Sequence, residues 1–157
     1  MLITALVTTG AVIATATGIV MKKKKDAKEI AEILEFRNFD FSVYLSDFQI
    51  EKQIATGLYD SVIFLLLDDS NKRFAVYKTD KDLFRKAKEA NEFPFYGEIF
   101  DYKDLVTFDP KITNDSPRYS FECRINSLHN PAITITGYEK ERVKEIHDYI
   151  KYIKRMA

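Results

Sequence analysis

Ser61–Leu67 reads SVIFLLL, Asp68–Lys72 reads DDSNK and Arg73–Lys78 reads RFAVYK. The first segment is a continuous apolar run of strand length, the pattern of a central strand buried on both faces. The second is a cluster of residues whose short polar side chains bond to nearby backbone and favour turns. The third is rich in strand formers and returns the chain antiparallel. Together they predict a hairpin with an interior first strand.

Downstream, Thr79 or Asp80 is placed to cap a short helix that runs to about Asn91, ahead of Pro94. Leu83, Phe84 and Ala87 give it an apolar face. Strands are expected at about 96–101 and 105–109, joined by a tight turn at Asp101–Asp104, and Pro110–Pro117 reads as a polar loop. Tyr119, Phe121, Cys123 and Ile125 alternate with Ser120, Glu122, Arg124 and Asn126, so a half-buried strand lies there. Ser127–Pro131 turns the chain, and Ile133 and Ile135 mark the last strand. A helix over 139–155 closes it. Val143, Ile146, Ile150 and Ile153 form its apolar stripe, widened by Tyr149. Thr136 and Glu139 have capping-box spacing, and Lys151, Lys154 and Arg155 sit where the helix dipole favours cations.

Upstream, Gly57 and Asp60 mark turns in an otherwise ambiguous stretch, 46–60. Phe39, Phe41, Val43 and Leu45 alternate with polar residues or Tyr44 and predict a strand. Asp26–Phe36 has helical spacing. Met1–Met21 contains no charged residue, and Lys22, Lys23, Lys24 and Lys25 follow at once. About 20 such residues cross a ~30 Å hydrocarbon core. Ala14-Thr15-Ala16 has the form of a cleavage site, but a signal peptide carries its positive charge before the apolar run. Here the lysines follow, and positive charge stays on the cytoplasmic side. The expectation is an uncleaved single-pass anchor in the cell membrane, N-terminus out and domain in the cytoplasm. A cleaved signal and a buried or interfacial helix are the alternatives. Gly10, Ala14 and Gly18 share one helix face, a small-residue stripe that could pair two anchors as a homodimer; such residues are also simply common in membrane helices. The lysines either set topology alone or also touch anionic headgroups, at on the order of 1 kcal/mol each.

The expected organisation is therefore 1–21 transmembrane anchor, 22–37 basic juxtamembrane helix and 38–157 folded domain. The fold class is α+β, mainly β, an antiparallel barrel or sandwich closed by a C-terminal helix. The chain has 24 basic and 24 acidic side chains, but four lysines and no acid fall in the first 25 residues, so the rest is net −4. That acidic balance argues against nucleic-acid binding. One cysteine, Cys123, excludes an intrachain disulfide and a cysteine-built zinc site.

Three stretches resemble a known family. They are Asp69–Ala75 (DSNKRFA), Ile99–Val106 (IFDYKDLV), and Ser120–Ile135 with Arg124-Ile125-Asn126 and Asn130–Ile135. They are similar to the opening hairpin, the strand-turn-strand element and the last hairpin of uncharacterised bacterial (Firmicute) and phage pleckstrin-homology-like (PH-like) proteins. The resemblance covers about 61–154, interrupted by the insert at 80–91. It implies a PH-like barrel that binds a phosphoinositide, a peptide or a protein, with no catalytic residues to carry over. The basic clamp of lipid-binding members is not evident beyond Lys72 and Arg73.

Little in the chain suggests chemistry. His129 lies in a turn, and His147 reads as a helix-edge residue beside the stripe. Cys123 points with the apolar side chains of its strand, where a thiol is inert; a Cys123–His129 nucleophile pair exists on paper only. Asp68 and Asp69 are explained by turn chemistry. The five glycines are not clustered, and no metal-ligand spacing occurs. The expectation is no catalytic, cofactor or metal site. Two functions follow: a membrane-anchored module that binds a protein or peptide partner, or a sensor of an anionic lipid surface.

Overall fold

A strand whose side chains are apolar on both faces must be covered on both, and the computed structural model is built on that requirement. It describes residues 39–157, apart from 42–44, 46, 59, 81, 83, 84, 87, 88 and 90–96. The expected anchor, the lysine cluster and the juxtamembrane helix lie outside the described residues. Among the described residues no helix is long and apolar enough to cross a membrane.

β2 (Ser61–Asp68) is flanked by β1 (Lys52–Gly57) and β3 (Arg73–Asp80), and β4 (Glu98–Asp101) completes the first sheet in the order β1-β2-β3-β4, all antiparallel. Val62 to Leu67 are each no more than 2% exposed. Ile63, Leu65 and Leu67 face the main core, while Val62, Phe64 and Leu66 face a second apolar cluster.

The second sheet centres on β7 (Arg118–Ile125), which pairs with β5 (Leu105–Phe108), β6 (Thr113–Asp115) and β8 (Ala132–Gly137). β8 lies opposite residues 119–124 of β7, overlapping the stretches that meet β5 (123–125) and β6 (118–120). A strand has two edges, so β5 and β6 share the edge that β8 leaves free. They are one strand interrupted near Pro110, which has no N–H for a ladder. Asp109 bridges the break. Its N–H donates to Glu122 O at 2.9 Å, and its carboxylate accepts the Glu122 N–H at 2.8 Å. From β1 onward the described residues thus form a four-strand meander, a three-strand meander and a terminal helix, α1 (Lys140–Met156).

α1 seals the core with Val143, Ile146, Ile150 and Ile153, each no more than 1% exposed. Its N-cap is Glu139, with no side-chain capping bond. The expected Thr136–Glu139 box does not form, because Thr136 is still in β8 opposite Ser120. Tyr138 N–H donates to Gly57 O at 3.2 Å and ties the end of β8 to the end of β1. Gly137 is required here. A Cβ at that position would meet Thr56 Oγ1 at 2.0 Å and Val143 Cγ2 at 3.1 Å.

Thr79 and Asp80 end β3, and residues 82, 85, 86 and 89 beyond them are helical. The strands expected at about 96–101 and 105–109 are β4 and β5, and the tight turn between them is the three-residue 3-10 turn Tyr102–Asp104, which carries the chain from the first sheet to the second. One expectation is corrected: 39–45 is not a strand where it is described. Phe41 lies in a 3-10 turn, and Leu45 N–H donates to Phe41 O at 3.1 Å. Phe41, Leu45 and Phe48 stand at i, i+4 and i+7, which a helical turn places on one side. That side covers the outer face of the first sheet. Phe41 stacks edge-on against Phe64 at 4.9 Å and Tyr77 at 5.4 Å, and Gln53 Nε2 donates to Phe39 O at 2.8 Å.

Phe41→Ala should therefore destabilise the domain by ~3–5 kcal/mol in urea melts, since Phe41 is fully buried. A loss under ~1 kcal/mol would contradict the packing of 39–50 on the sheet. Gly137→Ala should destabilise strongly, and less so in a Thr56→Ala background, a coupling that a double-mutant cycle would measure.

Candidate functional site

The residues with reactive side chains are mostly enclosed. Cys123 is 2% exposed on the inner face of β7. Burial, reinforced by Asp109 and Glu122, pushes its thiol up to about 12, so it is no thiolate at neutral pH. His147 is not at the helix edge. It is 3% exposed, edge-on to Phe121 at 4.7 Å and Phe108 at 5.5 Å. Its Nε2 is 2.8 Å from Asp109 O, and a carbonyl only accepts, so Nε2 carries the hydrogen. His129 is exposed in the β7–β8 loop, and no bond joins it to Cys123. Among the described residues no group of three or more His, Cys, Asp or Glu is arranged to hold a metal.

At the β2–β3 turn the acidic pair is structural. Asp68, fully buried, accepts from Arg73 at 2.8 Å, from the Asn71 amide at 3.0 and 3.1 Å, and from the backbone N–H of Asn71 at 3.2 Å and Gln49 at 3.3 Å. Burial opposes its ionisation, but the bonds from Asn71 and Arg73 and the two backbone N–H groups outweigh it and hold the carboxyl below its ordinary value. Asp69 Oδ1 accepts the hydroxyls of Tyr152 at 2.8 Å and Tyr102 at 3.0 Å, and Lys72 Nζ at 3.3 Å. The Tyr152 bond leads in lowering its pKa. Burial and then the bond to Asp69 raise that of Tyr102. One turn thus ties the hairpin to the 3-10 turn and to the end of α1. Lys72 adopts φ 52°, and its carbonyl accepts the Tyr102 N–H at 2.8 Å.

The other end of β3 is open. Val76 and Lys78 on β3, with Glu98 and Phe100 on β4, share the inner face of the first sheet, and the second sheet stops at β8 before covering it. A cavity of about 220 Å³ remains there, walled by Ala132–Thr134 of β8 and closed at one end by Asn130. Its floor is apolar: Val76 and Phe100 are buried and Ile133 half-buried. The β7–β8 loop beside it is pinned. Ser127 Oγ donates to Glu98 Oε1 at 2.9 Å and accepts the N–H groups of His129 at 3.3 Å and Asn130 at 3.1 Å. Asn130 Nδ2 donates to Glu98 Oε2 at 2.6 Å. The loop holds Leu128 98% exposed. Both oxygens of Glu98 are turned to the loop, while Lys78 is exposed and makes no ion pair among the described residues.

No family model, curated protein or solved structure matches this chain.

The groove combines a strand edge, an apolar floor and two charged side chains, Lys78 and Glu98, and among the described residues it holds no nucleophile with a base beside it. A second cavity, of about 260 Å³, lies beside Lys72, Lys103 and Met156. Its two lysines are already paired, with Asp69 at 3.3 Å and Asp101 at 4.0 Å. The expected site residues Gly10, Ala14, Gly18 and Lys22–Lys25 lie outside the described residues. Sequence reasoning gave Ile133 only as a strand residue and did not single out Lys78 or Glu98, because the strands that line the groove lie about 20 to 60 residues apart. Leu128, an apolar residue in a polar turn, was the available signal.

The carboxylate pair sets an acid response. The folded pKa values of Asp68 and Asp69 lie below the unfolded value of ~3.9, so the stability they contribute is present above that value and lost as pH falls through and below it. Urea midpoints should drop from about pH 5 downward. Asp68→Asn should be less stable by ~1.5–3 kcal/mol at neutral pH and show a flatter acid limb. An unchanged acid limb would contradict the assignment.

Proposed function

We propose that this chain is a membrane-anchored, cytoplasm-facing PH-like interaction module that binds a protein or peptide partner and carries out no catalysis of its own. The observation that carries the reading is the groove at the open end of the sandwich, an apolar floor beside a strand edge that no strand among the described residues pairs. Such a surface offers shape and backbone hydrogen bonds but no reactive group. The four-strand meander, three-strand meander and terminal helix support the PH-like resemblance through their order.

Tethering rests on the uncharged Met1–Met21 run and the lysines after it. Residues 26–38 can span no more than ~45 Å even fully extended, and Phe39, Phe41, Leu45, Phe48 and Ile50 are packed on the first sheet. The domain would then stay close to the membrane, a placement that suits recruitment. A lipid-sensing role has less support. The groove carries a single cation, Lys78, and the chain beyond the lysine cluster is net −4, a poor match to an anionic surface.

Affinity capture with the full chain from its native membrane tests this. The expected result is a protein that, once purified, rebinds saturably and at fixed stoichiometry. Salt-sensitive binding to anionic vesicles with no protein partner would overturn it. A cytoplasm-dependent reporter fused after Ala157 should be active, and an inactive one would refute the topology.

A further inference from the structure

β8 has one edge on β7, and among the described residues no strand pairs with the other. Near Gly137 that free edge meets the end of β1, through the Tyr138 to Gly57 bond. At Ala132–Thr134 it instead faces the cavity over Val76 and Phe100. An extended segment laid along it would gain backbone hydrogen bonds, continue the second sheet by one strand and cover the exposed end of the first sheet's inner face. The wall is three residues long, about 10 Å of strand, so the matching motif is short. The cavity, about 220 Å³, is smaller than the ~300–1,000 Å³ usual for cofactor and small-molecule sites. It suits one or two side chains of a peptide.

Charge narrows the motif. Glu98 lines the groove as an anion, but both its oxygens are engaged by Ser127 and Asn130, which leaves Lys78 as the charged side chain with no partner among the described residues and free to bond an occupant. A phosphate headgroup is ordinarily gripped by several cations, and this groove has one. A single carboxylate beside an apolar side chain fits it better. Leu128, held out by the pinned loop at the groove's end, adds apolar contact area.

We propose that the groove takes an extended acidic–apolar peptide segment of a partner protein as an added strand on β8, its apolar side chain on Val76 and Phe100 and its carboxylate on Lys78. The proposal rests on the interaction-module reading and specifies where and what that module binds.

The test uses the full chain in mild detergent against a displayed library of random linear peptides, with affinities of the enriched sequences measured by fluorescence anisotropy. Lys78→Glu replaces the cation by an anion, and Ile133→Trp enlarges the side chain that β8 turns inward at the groove. Lys78 is exposed and Ile133 half-buried, and thermal melts establish that the variants fold. The expected result is enrichment of peptides with an apolar residue beside Asp or Glu, each variant weakening binding at least ~10-fold. Peptides that bind equally well to both variants would overturn the groove and leave the module reading standing. Failure to enrich any peptide would overturn the peptide occupant, and the module reading survives that outcome only if the protein captured from native membrane still rebinds. Binding to phosphatidylserine vesicles, abolished by Leu128→Asp while no peptide binds, would overturn both in favour of a lipid surface.

Discussion

The structure depends on one constraint: β2 has no polar face. Six consecutive side chains, Val62 to Leu67, are excluded from water, and each buried aliphatic or aromatic side chain contributes roughly 1.5–3 kcal/mol relative to exposure. A simple two-layer sandwich would satisfy Ile63, Leu65 and Leu67 and leave Val62, Phe64 and Leu66 in water. The chain meets the second demand with Phe41, Leu45 and Phe48, which form a third layer outside the first sheet. The first sheet is thus the middle of the molecule rather than one of its walls.

This arrangement has a consequence for function. Phe39, Phe41, Leu45, Phe48 and Ile50 are part of the fold before the first strand begins. The outer face of the first sheet is largely occupied by them. What stays open is the far end of the inner face, where the second sheet stops short and Val76, Phe100 and Ile133 line a groove. At the other end of β3 the Asp68 and Asp69 carboxylates close the hairpin against Arg73, Tyr102 and Tyr152. One end is tied shut by charge-assisted bonds, and at the other a cavity lies between β3, β4 and β8.

Where periodicity was long and unmixed, the fold was legible. SVIFLLL, the alternation from Tyr119 to Ile125 and the stripe from Val143 to Ile153 all lie where their patterns place them. β1 was not legible, since KQIATG offers only Ile54 as a large apolar residue and its Ala55 and Gly57 carry little signal. Phe39–Phe48 satisfies both a period of two and a spacing of four and three, and only the need to cover Phe64 and Tyr77 decides between them. His147 falls within the helix stripe, four residues after Val143, and its polarity concealed that it is buried. Pairing of β4 with β3 rather than β5, and the groove itself, depend on contacts between distant segments that no local pattern announces.

Hydrogen exchange on the full chain tests the central claim most directly. If the first sheet is the middle layer, the amides of β2 open only with global unfolding, and their exchange free energies should equal the stability from denaturant melts and be at least as high as those of β7 and α1. Exchange of the β2 amides through a smaller opening, at free energies well below those of β7, would contradict a β2 covered on both faces.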